Sequence, residues 1–528
     1  MNRFASTALG GALIALAAGA IVLAIVALGT HSANADTVAT SVASGGNFSC
    51  AVTGDGGAKC WGIDDIGQLG TGSATAPDVC NNDSSSDYPC SKTPVDVTGL
   101  TSGVRDIAAG QNHACAIIDP DGGVKCWGAN QFGQLGGGQT GPDTCHTASF
   151  DYPCSLSPVT VSGLTDVIQL DLGVSHSCAR TSAKEVWCWG LSAWGELGAA
   201  GGDTCGGVEC SFTPVKAAVS NVLDVAAGGF HTCVSTEQAG AKCFGMDSRG
   251  QLGNGSLGPD SCLVGLTAPC SKSPVAVHNL TDVIDITAGD NFTCAITDAG
   301  VKCWGDNFDA QLGVDNGNKN CGLPSDQCYS ATPVTVAGAS GDFIAAGSRY
   351  TCTGPTVQCW GTNRFGELDG TSGPDTCDSG FKCSYAPRSI AGLGANVTQL
   401  ATDTSHTCVV ESADRIECWG YGFYGQMGNG ENESDNPTPQ TPTGFDGEST
   451  TPTPGANLVG DTDCDGSITG SDGALVLGFL AGVRTPGCIA AANVKCNDDL
   501  TPLDALLIFQ YLADTDSQLP GTCRAIGT

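Results

Sequence analysis

The chain has 528 residues and a formal net charge of −33, with 54 acidic against 21 basic side chains. Nucleic acid binding requires a basic footprint that is missing here, and an acidic membrane surface would repel the chain. Cysteine is abundant at 30 residues, and no Cys-x-x-Cys zinc-type spacing occurs, so disulfides and an oxidising compartment are expected.

Met1-Asn2-Arg3 makes a short positive start, and an apolar run extends from Ala8 to Gly29. Ala33-Asn34-Ala35 offers a small-x-small cleavage site before Asp36, so residues 1–35 are expected to be a signal peptide. The run is also long enough for an uncleaved anchor. Either reading exports the remainder, to the medium or to the cell surface.

From Asp36 onward one unit recurs. Cys-aromatic-Gly stands at Cys60-Trp61-Gly62, Cys126-Trp127-Gly128, Cys188-Trp189-Gly190, Cys243-Phe244-Gly245, Cys303-Trp304-Gly305, Cys359-Trp360-Gly361 and Cys418-Trp419-Gly420. The copies fall at intervals of roughly 55 to 66 residues, a repeat-array period. Val104-Arg105-Asp106-Ile107 and Val283-Ile284-Asp285-Ile286 alternate as strands do. Asp119-Pro120-Asp121-Gly122-Gly123 lies between two further strands as a hairpin turn, and a last strand follows each Pro-Val, as at Pro94-Val95. Four short antiparallel strands per copy and seven copies predict an all-β, seven-bladed propeller over residues 36–445, whose radial closure protects its edges.

The same residues carry a family resemblance. Gly173-Val174-Ser175-His176-Ser177-Cys178, Cys188-Trp189-Gly190 and Gly195-Glu196-Leu197-Gly198, with their counterparts in the other copies, resemble the repeat of the regulator of chromosome condensation family. That resemblance implies a seven-bladed propeller. Ala310 and Asp369 depart from its glycines, and Phe244 from its Trp. The family's best-known member is a nuclear exchange factor for a small GTPase; in an exported acidic chain no small GTPase and no nucleic acid is expected as partner. The repeat is also similar to that of a secreted bacterial propeller that inhibits β-lactamases, a precedent for protein binding outside the cell.

The cysteines sort into two sets. Facing positions of each hairpin predict Cys50–Cys60, Cys115–Cys126, Cys178–Cys188, Cys233–Cys243, Cys294–Cys303, Cys352–Cys359 and Cys408–Cys418. A second set closes a loop after Gly-Gln-Leu-Gly: Cys80–Cys90, Cys145–Cys154, Cys205–Cys210, Cys262–Cys270, Cys321–Cys328 and Cys377–Cys383, with none in the last copy. Tyr88, Phe150, Tyr152, Phe212, Tyr329, Phe381 and Tyr385 sit in or beside these loops and are expected to form an aromatic rim on one face, a binding surface or a structural one. Asp78, Asp143, Asp203, Asp260 and Asp375 each precede a loop cysteine by two residues and read as turn caps. His113, His176, His231 and His406 share a repeat position with Phe48, Phe292 and Tyr350, which predicts packing there and no proton transfer. No distinctive acid/base carboxylate pair stands out.

Residues 446–457 form a Pro/Thr-rich linker, and a module over 458–519 and a tail over 520–528 follow. Asp461, Asp463, Asp465 and Asp472, with Gly466 at the sharp turn, have the spacing of an EF-hand-like calcium loop. A second loop and helix follow about thirty residues on, and the two halves resemble a type I dockerin, a small α-helical domain. The resemblance places Ca²⁺ on Asp461, Asp463, Asp465, Thr469 and Asp472, with Ser467 contributing its carbonyl. In the second loop Asn493, Asn497 and Asp504 remain, while Lys495 and Asp498 depart from the pattern. It further implies a cohesin-like partner met at Gly470-Ser471 and Pro502-Leu503. Cys464, Cys488, Cys496 and Cys523 allow three connectivities. The leading expectation is an exported scaffold binding a protein or glycan and tethered through calcium. The alternatives are a polysaccharide-degrading glycosidase and a secreted inhibitor of an extracellular enzyme.

Overall fold

The computed structural model describes residues 38–445 except 82–86, 147–150, 238–239, 264–266, 316–327, 369–372, 378, 395, 412–414 and 434. The expected signal peptide, linker, dockerin-like module with its expected calcium and partner residues, and tail, together with Asp369, Cys321 and Phe150, lie outside the described residues. The unit Asp36–Gly447 is the propeller.

Seven antiparallel sheets stand in chain order, one per repeat. In blade two the inner strand Val104–Ala109 pairs with His113–Ile118, which pairs with Gly123–Ala129, which pairs with the outer strand Asp151–Thr160. Each blade is continuous in sequence. The ring closes through side chains: the Val42 N–H donates to Gln399 Oε1 at 2.9 Å, and the Ser44 hydroxyl to the Ala401 carbonyl at 3.1 Å. One apolar cluster joins Ala39, Val42 and Trp61 of the first blade to Ile416 and Phe445 of the last.

Each hairpin staple joins facing residues with Cα atoms 4.0–4.1 Å apart, from Cys50–Cys60 to Cys408–Cys418. The loop set is present at Cys80–Cys90, Cys145–Cys154, Cys205–Cys210, Cys262–Cys270 and Cys377–Cys383, with Cα separations of 5.9–6.0 Å. Cys328 is disulfide-bonded too.

Five blades hold five strands where four were expected. The extra strand is the loop itself. Asp143–His146 pairs with Asp151–Cys154, so the outer strand starts well before the Pro-Val that seemed to open it. Pro158 then falls inside that strand, where it cannot donate to a ladder. The strand accommodates it with a bulge between Ser155 and Val159. The Ser155 hydroxyl closes the bulge on the Ser157 carbonyl at 2.6 Å, and Ser91, Ser211, Ser271, Ser330 and Ser384 repeat that bond at 2.6–2.7 Å. Asp143 accepts the Leu156 N–H freed there at 3.0 Å. Asp78, Asp203, Asp260 and Asp375 do likewise for Lys92, Phe212, Lys272 and Tyr385. These aspartates are therefore bulge ties, not the turn caps expected.

Candidate functional site

The tryptophan of each Cys-Trp-Gly is buried between blades. Trp127 donates its Nε1–H to the Gln68 carbonyl of the preceding blade at 2.8 Å. Trp61, Trp189, Trp304, Trp360 and Trp419 make the same bond at 2.7–3.0 Å. The last glycine of Gly-Gln-Leu-Gly makes room for that ring. Gly136 has φ +67°, and a Cβ there would lie 2.9 Å from the Trp189 ring nitrogen. At the first glycine's position blade five carries Ala310, which takes the same left-handed turn at φ +65°.

The seam histidines bridge forward to the next blade. His113 Nε2 lies 2.8 Å from the Ser177 hydroxyl, and His176–Thr232, His231–Thr293 and His406–Ser49 match it at 2.8–2.9 Å. The Ser177 hydroxyl spends its only proton on the Gln134 carbonyl at 2.9 Å, and Thr232 donates to the Glu196 carbonyl at 2.8 Å. Each hydroxyl must therefore accept from Nε2–H. That fixes the neutral tautomer and leaves Nδ1 of His113, His231 and His406 bare. Burial pushes His113 and His231 down to about 3, and His176 and His406 down to about 4. In blade six the Tyr350 hydroxyl lies 3.0 Å from that of Thr407. Phe48, with no hydrogen-bonding atom, packs in one cluster with Ala114 of the next blade. Neutral, enclosed and replaceable by phenyl rings, this position holds blades together.

The Gly-Gln-Leu-Gly turns hold a second buried polar set. Asn130 Oδ1 accepts the Leu135 N–H at 3.1 Å while its Nδ2 donates to the Gln139 carbonyl at 2.9 Å. Asp64 and Asp247 occupy the equivalent place, take the Leu69 and Leu252 N–H groups, and leave Oδ2 without a partner. Gln68 Oε1 accepts the Ile66 N–H at 2.8 Å and its Nε2 donates to Asp65 at 2.8 Å. Glu196 and Glu367 replace that glutamine, accept from Trp194 and Phe365, and leave Oε1 bare. Burial raises all four carboxyls to about 7. A carboxyl that keeps its proton is neutral there, as the amide is in the other blades.

A central channel of about 270 Å³ runs between the inner strands. Its carboxyls tie blade to blade. Asp224 Oδ2 accepts the Ile286 N–H at 3.0 Å, Asp285 Oδ2 the Ile344 N–H at 2.8 Å, and Asp171 Oδ2 the Ala227 N–H at 3.0 Å. Burial raises Asp171 to about 7 and Asp403 to about 8; burial and then the neighbouring Asp224 raise Asp285. Among the described residues no cluster of three or more His, Cys, Asp or Glu is arranged to hold a metal ion.

The loop aromatics turn out differently from the expected rim. Tyr152 packs with Ile66 of the preceding blade, Tyr385 with Ala310, and Phe212 lies under Gly133. In a ring every loop has a neighbour, and these side chains cap it. Of the six described, Phe381 is the most open, at 38% exposed. The seam of blades six, seven and one is different. Blade seven has no cystine strand, and Phe365, Tyr421, Phe423, Tyr424 and Tyr88 form a chain of ring contacts with centroids 4.5–6.4 Å apart. At its end the Arg364 guanidinium lies 4.8 Å from the Phe365 ring and 4.2 Å from the Phe381 ring. This patch, with no counterpart of its length among the described residues of the other blades, is the candidate site. Only Tyr88 and Phe381 of it were singled out from the sequence. The run Tyr421-Gly422-Phe423-Tyr424, the most aromatic of the seven equivalent turns, was a signal that could have found the rest.

Models of the regulator of chromosome condensation (RCC1) repeat match residues 55–117, 121–180, 185–235 and 243–296, and a second model of the repeat matches 39–68, 104–134, 222–251 and 283–311. Together they take in residues 39–180 and 185–311, and the structure adds blades six and seven. The ultraviolet-B receptor UVR8 of Arabidopsis thaliana is 24% identical over 349 residues, 64% of this chain and 69% of its own length. The mitochondrial RCC1 domain-containing protein RUG3 of the same plant is 30% identical over 300 residues, 56% of this chain, which spans 58% of RUG3. Prp20p of Saccharomyces cerevisiae, a protein studied for its binding to Gsp1p and histones, superposes with a TM-score of 0.55 at 19% identity, covering 77% of this chain and 87% of its own. Human WBSCR16 does so with a TM-score of 0.55 at 21% identity, covering 73% and 93%. At these identities the superpositions show the fold. The chain is thus a seven-bladed propeller of regulator of chromosome condensation repeats and belongs to that repeat family.

Proposed function

We propose that the propeller is an exported binding scaffold whose Arg364–Phe381 end and blade-seven aromatic seam take a macromolecular partner, and that the C-terminal module tethers it through calcium. The single observation that carries the reading is the seam itself. Residues repeated in every blade are consumed by packing, whereas here the copies diverge into a partly buried aromatic patch with an exposed guanidinium at its edge. Aromatic and arginine side chains dominate binding hot spots. Twelve cystines observed in the described residues keep such a surface rigid outside a reducing cell. Prp20p, on the same fold, supplies a precedent for protein binding.

The tether rests on the donor set. Asp461, Asp463, Asp465, Thr469, Asp472 and the Ser467 carbonyl offer hard oxygen atoms at the spacing that surrounds Ca²⁺. Asn493, Asn497 and Asp504 form a poorer second set, weakened by Lys495. Bound calcium orders the loops that present Gly470-Ser471 and Pro502-Leu503 to a cohesin-like partner.

A pull-down from the native envelope fraction with the full chain tests both halves. Retention of one protein in calcium and its loss in chelator supports the tether. Loss of a second protein, or of a glycan, in R364A/F381A supports the seam, since both side chains are exposed and their removal leaves the fold intact. Identical capture under all conditions would refute the reading.

A further inference from the structure

A second surface lies at the channel mouth opposite the Gly-Gln-Leu-Gly turns. In six blades the inner strand carries one extra residue near its start, where the register to the second strand shifts. A bulge leaves that residue outside the ladder and turns its side chain away. In blades three, four and five the bulged residues are Ile168, Leu223 and Ile284, which are 42%, 41% and 57% exposed. Elsewhere the position holds Thr40, Arg105 and Thr398. The backbone builds each presentation the same way: Asp166, Asn221 and Asp282, two residues earlier, share φ +56°. The three inner strands are neighbours around the ring, so the three exposed side chains stand on adjacent strands at one mouth of the channel, an apolar crescent by position. The other large exposed hydrophobics among the described residues, Val79, Leu257 and Phe381, stand in three separate blades.

The crescent's surroundings are acidic. Asp121, Asp166, Asp282, Asp298 and Asp342 are exposed at the strand entries and turns beside it, and none makes an ion pair among the described residues. Each nearby cation has an acidic group beside it: Lys184 pairs with Glu237, Arg105 pairs with Asp119 and donates to the Val167 carbonyl, and Arg180 donates to Gln169 within the field of Asp224. A contiguous exposed apolar patch rimmed by charge marks an interaction surface, and the sign of the rim selects the partner.

We propose that Ile168, Leu223 and Ile284 dock a protein segment that inserts an aliphatic side chain flanked by lysine or arginine. The proposal rests on the scaffold reading and adds a second face and a partner class to it. An acidic membrane surface is disfavoured as occupant because the rim repels it.

The test pans a displayed library of random linear peptides on the immobilised full chain. Enriched peptides are expected to place Leu, Ile, Val or Met beside Lys or Arg. I168S/L223S/I284S should weaken an enriched peptide at least about tenfold, which the loss of one buried aliphatic contact is enough to produce. V79S/L257S should leave it unchanged, and added salt should weaken it by screening the rim. Circular dichroism of the triple variant should match the wild type, because all three side chains are exposed. Enriched peptides without this pattern, or equal binding to the triple variant, would overturn the proposal. So would a dimer in sedimentation that the triple variant dissolves, because the occupant is then a second copy of this chain. Loss of this surface while R364A/F381A still sheds its partner would leave the scaffold reading standing.

Discussion

Glu367 sits where Gln68, Gln134, Gln251, Gln311 and Gln426 sit in other blades, fully enclosed, with Oε2 on the Phe365 N–H at 2.7 Å and Oε1 bare. Burial raises its carboxyl from 4.5 to about 7. A carboxyl that binds its proton more tightly in the fold than in the unfolded chain stabilises the fold fully below its unfolded pKa. Stability then falls as pH rises from about 4.5 to about 7, and the loss is complete above that. At 1.36 kcal/mol per pKa unit the loss is on the order of 3 kcal/mol. Glu367→Gln removes it, because the amide is uncharged at every pH. The wild-type profile alone cannot isolate this effect. The seam histidines have depressed pKa values and act oppositely, losing stability as pH falls below about 6.5. The difference between variant and wild type cancels them. Guanidinium unfolding of the oxidised protein, followed by tryptophan fluorescence, should show E367Q near wild type at pH 4.5 and up to about 3 kcal/mol more stable at pH 8. A gain equal at both pH values, or a loss at pH 8, would show that the Glu367 charge does not cost the fold stability.

Other perturbations follow from the same geometry. H113F/S177A, which copies the Phe48 and Ala114 pairing, should be close to neutral at pH 7 and more stable than wild type near pH 4.5, measured by thermal midpoint. W127F, which copies Phe244, removes the bond to the Gln68 carbonyl and should destabilise by about 1–2 kcal/mol in guanidinium unfolding. Replacing Cys115 and Cys126 with Ala should cost about 3 kcal/mol in the chain-entropy estimate for an 11-residue separation, read from the denaturation midpoint. In calorimetric titration of the full chain, Asp461→Ala should abolish the tighter calcium site, while Asn493→Ala should leave it intact.

The blade count, the hairpin staples and the buried tryptophans were legible because each depends on a pattern repeated seven times. The fifth strand was not. Asp143–His146 is too short to show a period, and it exists only because a cystine and the outer strand hold it. The aspartates misread as turn caps belong to the same feature, since the bulge they close becomes visible only once the outer strand is known to begin before its proline. Loop aromatics were over-read for a different reason. A sequence shows Tyr152 without showing the turn of blade one that lies beneath it. Glu196 and Glu367 were visible as departures from glutamine, yet their significance depends on full burial, which only packing reveals.

The most direct test of binding against catalysis is to follow reducing-end release by the purified full chain, with calcium present, on a panel of polysaccharides. The account predicts no turnover on any of them, even where a glycan is retained at the seam. Robust turnover on one would contradict it and place the active chemistry in a channel whose carboxyls are here assigned to holding the blades together.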